Sequence, residues 1–310
     1  MRAPHIGRSA TVGIYLALAT AAISGLSVFL NAFAVKQFPD PASYTTLKNA
    51  AAAAILIGGT VAVGGVPRPH SLGGRSWLGL AALGLIGGSI PFLLFFTGLA
   101  EASAPAAAVI HKTLFIWVAL LAVVLLRERL GAWQIGALSV LVVATLMVQP
   151  PDGVAWGGGE SLIALATGLW AVETIVARRL LASVPPLVAG AARMGLGLVI
   201  LVGYLVATGR IGVVFELGIV QWAWVMATGV LLAGYVATWY GALRRAPAAM
   251  VAAVLTLGAP ITAGLQLVTS GTVPAPGPLA GYGLMLLAAG GLALVLLLSS
   301  NGDPAAPAVA

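Results

Sequence analysis

Four ionisable residues lie within long apolar stretches of this sequence: Lys48, Lys112, Glu173 and Arg193. A charge inside a membrane is costly, so each needs a partner or a function. The three cations suit the carboxylate of a ligand, whereas Glu173 suits an ammonium group or a proton. A structural alternative stays open for each, because buried cations also cap backbone carbonyls, and Glu173 could neutralise Arg193 or Lys112.

Aromatic residues accompany these charges on the same helical faces. Trp170, Glu173 and Thr174 share one face, which offers a ring, a carboxylate and a hydroxyl to an amine. An aromatic stripe in a membrane helix also serves packing or lipid contact. The candidate substrate-binding residues are Tyr44, Lys48, His111, Lys112, Phe115, Trp170, Glu173, Arg193, Tyr235 and Trp239.

The depth of each cation follows from the helical rise. At about 1.5 Å per residue, Lys112 lies roughly 12–14 Å from the outer end of its span, near the middle of a hydrocarbon core about 30 Å thick. Lys48 lies only about 8 Å inside its own span, where it could snorkel outward.

Composition places these residues in lipid. The chain is 60% hydrophobic and 7% charged, with a mean hydropathy of +1.07, and a soluble fold cannot bury that much apolar surface. The net charge of +7 does not predict nucleic-acid binding, because the cations are scattered over short connections. Cysteine is absent, which excludes disulfides and Cys-based metal sites.

Hydropathy predicts an all-α integral membrane protein with ten transmembrane helices. The first apolar run is too long for the h-region of a signal peptide and predicts an uncleaved first helix. Pro91 and Pro260 lie inside spans, where they are either hinges or static kinks. The predicted spans are 11–35, 43–65, 77–100, 104–126, 131–149, 158–177, 187–208, 219–242, 247–270 and 277–298.

The cations predict the orientation of the chain in the membrane. Ten arginines fall on alternate connections, while the other side has only Lys36 and Arg210. The positive-inside rule therefore places both termini in the cytoplasm. The ten are Arg2, Arg8, Arg68, Arg75, Arg127, Arg129, Arg178, Arg179, Arg244 and Arg245.

An internal repeat sets the predicted architecture. The segment Ala17–Leu–Ala–Thr20 recurs as Ala164–Leu–Ala–Thr167, and the alignment brings Lys48 onto Arg193 once a two-residue gap is allowed. Each half has five predicted helices, an odd number, so the second half enters the membrane inverted. We expect a first repeat at 1–150, with helices 1–5, and a second at 151–310, with helices 6–10 and a disordered C-terminal tail. One chain then holds both halves, so a monomer suffices and an oligomer stays open.

Two segments resemble a known family. Trp170–Ala–Val–Glu–Thr–Ile–Val–Ala–Arg–Arg–Leu180 resembles the opening helix of an EamA repeat, and Leu125–Leu–Arg–Glu–Arg–Leu130 resembles the signature at the end of its fourth helix. Both are typical of the drug/metabolite transporter superfamily, whose members have ten helices in two inverted halves. The second half departs from this pattern at Leu267–Val–Thr–Ser–Gly271. We expect Glu128, within the signature, to pair with Arg127 or Arg129.

The segment His111–Lys–Thr–Leu–Phe–Ile–Trp–Val–Ala119 further resembles the YddG-type branch of bacterial amino-acid exporters. The resemblance implies a secondary transporter of the bacterial inner membrane that exports neutral, aromatic and hydrophobic amino acids by alternating access through a central cavity. Deep charges of both signs independently suit a zwitterionic substrate. No catalytic residue, metal or cofactor is expected, and the bilayer is the expected partner.

Two other classes of function stay open. A proton-coupled exporter of cationic drugs or other small metabolites would use Glu173 for proton and drug in turn, although the three membrane cations disfavour such a substrate. A membrane-embedded enzyme or lipid-handling protein is less favoured, because no nucleophile, metal set or headgroup site is apparent in the sequence.

Overall fold

The computed structural model describes residues 8–65, 72–102, 110–148, 156–271 and 273–300, and every regular element in these ranges is helical. Several predictions fall outside them. Arg2, Arg68, the start of the span at 104–126 and the predicted tail beyond Ser300 lie outside the described residues.

Each half begins with long, continuous helices and continues with shorter ones. The first half contains α1 (Arg8–Ala34), α2 (Pro41–Ala62), α3 (Gly74–Ile86), α4 (Ile90–Glu101), α5 (Leu114–Leu125) and α6 (Ala132–Val148). The second half contains α7 (Gly158–Leu180), α8 (Pro186–Ala207), α9 (Ile219–Arg245), α10 (Ala248–Leu255), α11 (Gly258–Ser270), α12 (Pro276–Met285) and α13 (Gly291–Ser300). A π-helical turn at Leu286–Gly290 joins the last two.

Seven helical segments of the described chain are long and apolar enough to cross a membrane. Ile110–Leu125 and Ala132–Val148 are apolar but shorter, and α2 carries several polar side chains along its first half. Every predicted span overlaps a helix, but the count of ten transmembrane helices stays a prediction. The seven segments are Ser9–Gln37, Gly74–Gly98, Gly158–Leu180, Pro186–Ala207, Ile219–Arg245, Ala248–Ser270 and Pro276–Leu298.

Helices α2 and α8 begin in the same way and occupy corresponding places. Each is 22 residues long and starts with a proline at its first position, where the missing N–H costs nothing. Lys48 and Arg193 each lie seven residues beyond that proline. The two cations therefore occupy equivalent positions of the two halves.

The packing of the helices is reciprocal between the halves. Helix α1 packs against α9, and α7 packs against α3 and α4. Helix α2 packs against α8, and α6 packs against α12. Exchanging the halves therefore maps the main contacts onto one another, as expected for a repeat; the inverted orientation of the second half stays a prediction.

The helix break between α3 and α4 lies at Gly87–Gly88–Ser89, and Pro91 is the second residue of α4. Here the backbone approaches α8 so closely that a Cβ atom on Gly197 would lie 2.5 Å from the Gly88 carbonyl oxygen. Only glycine fits such an approach. The kink that proline predicts is thus present, but a hinge motion at Pro91 stays a prediction.

Two further interruptions mark equivalent places in the halves. A turn at Thr113 precedes α5, and Thr256–Leu257 separates α10 from α11. Each threonine hydroxyl donates to the carbonyl three residues earlier, at 2.7 Å for Thr113 and 2.6 Å for Thr256. Pro260 lies in the first turn of α11, just after the second break, and its hinge role also stays a prediction.

Candidate functional site

Lys48 is a buried cation surrounded by aromatic rings. Its side chain on α2 is only 4% exposed. Its Nζ lies 5.1 Å from the centroid of the Tyr44 ring, 5.4 Å from that of Phe96 and 5.9 Å from that of Phe92. The alternative in which Lys48 snorkels outward is wrong, because the two phenylalanines of α4 cover it. The rings favour the positive charge electrostatically but do not neutralise it.

No carboxylate of the described residues lies within 4.0 Å of Lys48 Nζ. The ammonium group donates instead to Asn31 Oδ1 on α1, at 3.4 Å. This is longer than the usual range of about 2.7–3.2 Å for such a bond. Lys48 therefore has donor capacity that no carboxylate of the described residues uses and that an incoming anion can use.

An aromatic cluster formed by Phe92, Phe95, Phe96, His111 and Trp170 extends from this cation. Trp170 contacts Phe92 and Phe95, with ring centroids 5.4 Å and 5.7 Å apart, and His111, at 5.2 Å. Phe95 also contacts Phe96 and His111. Since Phe92 and Phe96 also face Lys48, the cation and the aromatic cluster form one continuous site between α2, α4, the residues before α5, and α7.

Two members of this cluster, Trp170 and His111, differ in their hydrogen bonding. Trp170 Nε1 donates to the Gly87 carbonyl in the α3–α4 break, at 3.3 Å. His111 Nδ1 is buried and has no hydrogen-bond partner among the described residues. The indole is thus held in place, whereas the imidazole leaves a polar atom for a ligand or water.

Glu173 and Arg193 form a buried ion pair instead of an open site. They are 1% and 5% exposed, and Arg193 Nε lies 4.0 Å from Glu173 Oε1. Tyr240 donates its hydroxyl to the same carboxylate oxygen. Arg193 Nη2 donates to the Gly87 carbonyl at 3.2 Å, and its guanidinium carbon lies 5.8 Å from the Tyr240 ring centroid. This geometry favours the structural alternative for both residues.

The two equivalent cations therefore differ in electrostatics. Arg193 is neutralised by Glu173, whereas Lys48 has only neutral neighbours among the described residues. The described residues thus supply a carboxylate partner for the cation of the second half and none for the cation of the first.

The remaining candidates are distributed around this site. Lys112 is half-buried and makes no hydrogen bond or ion pair with another described residue. Phe115 packs in the buried apolar core and does not join His111, because the turn at Thr113 interrupts the helix between them. Tyr235 and Trp239 stack with centroids 6.1 Å apart and planes 11° apart.

Glu128 makes a different contact from the one predicted. Its carboxylate accepts hydrogen bonds from the backbone N–H groups of Ala248 and Ala249, at 2.7 Å and 3.2 Å. The predicted pairing with Arg127 or Arg129 is absent from the described ion pairs. A carboxylate at a helix N-terminus satisfies free N–H groups and complements the helix dipole, so Glu128 ties the end of α5 to the start of α10.

Arginines at this end of the bundle donate hydrogen bonds to backbone carbonyls near the ends of other helices. Arg178 donates to the Arg244 carbonyl at 3.5 Å, and Arg179 donates to the Leu125 carbonyl. At the opposite end Arg210 pairs with Asp40 at 3.6 Å. Among the described residues, Arg178 and Arg179 thus lie at the opposite end of the helices from Arg210, as the sequence predicts.

Sequence reasoning missed Asn31, Phe92, Phe95, Phe96 and Tyr240. Phe92 and Phe96 are four residues apart after Pro91, a spacing that places both on one helical face. No local signal identifies Asn31 or Tyr240, because each acts through a residue on another helix. Among the described residues, no group of three or more His, Asp or Glu side chains could hold a metal ion.

Comparison with known proteins agrees with this architecture. The EamA-like transporter family matches residues 11–149 and 157–296. The chain therefore belongs to the EamA-like transporter family, within the drug/metabolite transporter superfamily, and is a multi-pass membrane protein with a transport role.

A solved protein crystal structure shares the fold. Its TM-score is 0.73 at 17% sequence identity, over 94% of this chain and 99% of its own. No curated protein matches the chain.

Proposed function

We propose that this protein exports neutral amino acids, chiefly aromatic and hydrophobic ones, from the bacterial cytoplasm by alternating access. The observation that carries the proposal is the buried, unneutralised Lys48 beside the aromatic cluster. Lys48 would bind the substrate carboxylate, and the rings of Phe92, Phe96 and Trp170 would receive an apolar or aromatic side chain. A charge-assisted hydrogen bond of this kind contributes about 1.5–3 kcal/mol.

The cationic-drug alternative fits this geometry less well. A cationic substrate needs a free carboxylate, but Glu173 already accepts from Tyr240 and lies 4.0 Å from Arg193. Lys48 would also repel a cation at the aromatic cluster. The lipid-handling and enzyme alternatives gain no support from the described residues.

The proposed transport cycle uses the two halves as rigid units. The repeats at 1–150 and 151–310 would be inverted relative to each other and rock about a central cavity. The breaks next to Pro91 and Pro260 are the proposed hinges. Both termini would lie in the cytoplasm of the bacterium, with the arginine-rich helix ends on that side.

The test of substrate class is flux into liposomes that contain the purified protein. Labelled tryptophan, methionine or threonine is compared with a quaternary ammonium dye, with and without a pH gradient. We expect saturable amino-acid flux and no dye movement. Dye movement driven by the pH gradient, with the amino acids inert, would replace this proposal with the drug exporter.

Two tryptophan variants test the role of the aromatic cluster. Trp170→Leu should lower tryptophan flux more than threonine flux, because it removes ring contacts with Phe92, Phe95 and His111. Trp156→Leu is the matched control, since Trp156 is 64% exposed and lies outside the aromatic cluster. An equal loss for both substrates in Trp170→Leu would place the substrate side chain elsewhere.

A further inference from the structure

The orientation of the Asn31 side chain is fixed by its own helix. Its Nδ2 donates to the Ser27 carbonyl at 2.7 Å and lies 2.9 Å from Ser27 Oγ. Because the amide nitrogen supplies both donors and faces these acceptors, Oδ1 must point the other way. It points across to α2, toward Tyr44 and Lys48.

Asn31 Oδ1 is a neutral acceptor placed beside a cation. It accepts from the Tyr44 hydroxyl and from Lys48 Nζ, the latter at 3.4 Å. The long bond to Lys48 is the weaker of the two and is the one that a ligand can exchange. Asn31 itself is half-buried.

The pair of atoms matches the head group of an α-amino acid. Such a head group carries its carboxylate and ammonium on one carbon, so the two charges need partners only a few ångströms apart. Lys48 Nζ can donate to the carboxylate while Asn31 Oδ1, 3.4 Å away, accepts from the ammonium. A carboxylate at position 31 would pair with Lys48 and take the place of the substrate carboxylate. The neutral amide oxygen of Asn31 does not compete in this way.

We propose that Asn31 is a specificity-determining residue whose Oδ1 binds the substrate ammonium beside Lys48. Asn31 would then distinguish amino acids from acids that lack the amino group. This inference rests on the proposed amino-acid transport, and it adds α1 to the helices that recognise the substrate.

Equilibrium binding to the purified, full-length protein tests it with three ligands. Tryptophan has both charges, indole-3-propionate lacks the ammonium, and tryptamine lacks the carboxylate. In the wild type, tryptophan should bind about tenfold or more tightly than indole-3-propionate. Asn31→Leu should reduce this ratio to about threefold or less, with the loss falling on tryptophan.

A merely structural role predicts a different result. If Asn31 only positions Tyr44 and Lys48, Asn31→Leu weakens tryptophan and indole-3-propionate equally and leaves their ratio unchanged, which overturns the inference. Lys36→Met, just beyond the end of α1, is the control, since Lys36 is exposed; it should preserve the ratio.

Asn31→Asp is a second, nearly isosteric variant that guards against misfolding of the leucine variant. In the wild type, indole-3-propionate should bind more tightly than tryptamine, because Lys48 pairs with its carboxylate. In Asn31→Asp the new carboxylate should pair with Lys48, so that tryptamine binds more tightly than indole-3-propionate. An unchanged order would overturn the inference. Wild-type protein that binds none of the three ligands would instead count against the proposed function itself.

Discussion

Removing either charge of the Glu173–Arg193 pair should strongly destabilise the protein. The side chains are 1% and 5% exposed, so the charge that stays behind has no access to water. Glu173→Gln is the cleanest change, because the amide keeps an acceptor oxygen for Tyr240 and nearly the same volume. It leaves the Arg193 guanidinium with the Gly87 carbonyl and the Tyr240 ring.

The magnitude follows from the geometry. Two unit charges 4.0 Å apart attract each other by about 4 kcal/mol at an effective dielectric constant of about 20. Breaking one side of a buried pair typically costs about 3–5 kcal/mol, because the desolvated partner is left uncompensated. Each of Glu173→Gln and Arg193→Gln should therefore cost about 3 kcal/mol or more, and the double variant should cost well below their sum.

The assay is a double-mutant cycle on unfolding in detergent, with the wild type, both single variants and the double variant. The Asp40–Arg210 pair is the matched control, because Arg210 is 47% exposed and exposed pairs contribute at most about 1 kcal/mol. Additive effects at Glu173 and Arg193, with no coupling energy, would refute the ion pair as a structural element and reopen Glu173 as a ligand site.

Three further substitutions, the first with a matched control, test individual contacts through thermal unfolding. Gly197→Ala should lower the free energy of unfolding by about 1–3 kcal/mol, because its Cβ would overlap the Gly88 carbonyl. The control is Gly203→Ala on the same helix, whose Cβ meets no atom within 4 Å and which should be neutral. Equal effects of the two substitutions would contradict the close approach. Trp170→Phe should cost about 1 kcal/mol through its lost hydrogen bond, and an unchanged midpoint would count against that bond. Glu128→Gln should cost about 0.5–2 kcal/mol by weakening the cap on α10; a stabilised variant would contradict the cap.

The helical architecture was largely predictable, because it depends on patterns within single segments. Apolar runs of membrane length predict helical segments, and each predicted span overlaps a helix. The repeat predicts Lys48 and Arg193 at equivalent positions, and each lies seven residues beyond the first proline of its helix. Breaks in the helices were foreseen only where proline marks them. The turn at Thr113 carries no such signal and separates His111 from Phe115.

The partners of the charged residues were less predictable, because they come from distant helices. In the sequence Glu173 could pair with Arg193 or with Lys112, and only the packing of the helices shows that its partner is Arg193. The depth of Lys48 along its span gave no information about its burial, which depends on Phe92 and Phe96 of α4. Glu128 has arginines on both sides in sequence, yet it binds backbone N–H groups of α10.

The most direct test of the central claim is tryptophan counterflow in liposomes with the wild type, Lys48→Met and Lys48→Arg at equal amounts of inserted protein. Lys36→Met is the control, because Lys36 is exposed and is not part of the proposed site. If Lys48 binds the substrate carboxylate, Lys48→Met should raise the half-saturating tryptophan concentration about tenfold or more, while Lys48→Arg keeps part of the affinity. Counterflow in Lys48→Met that matches the Lys36→Met control would contradict the account.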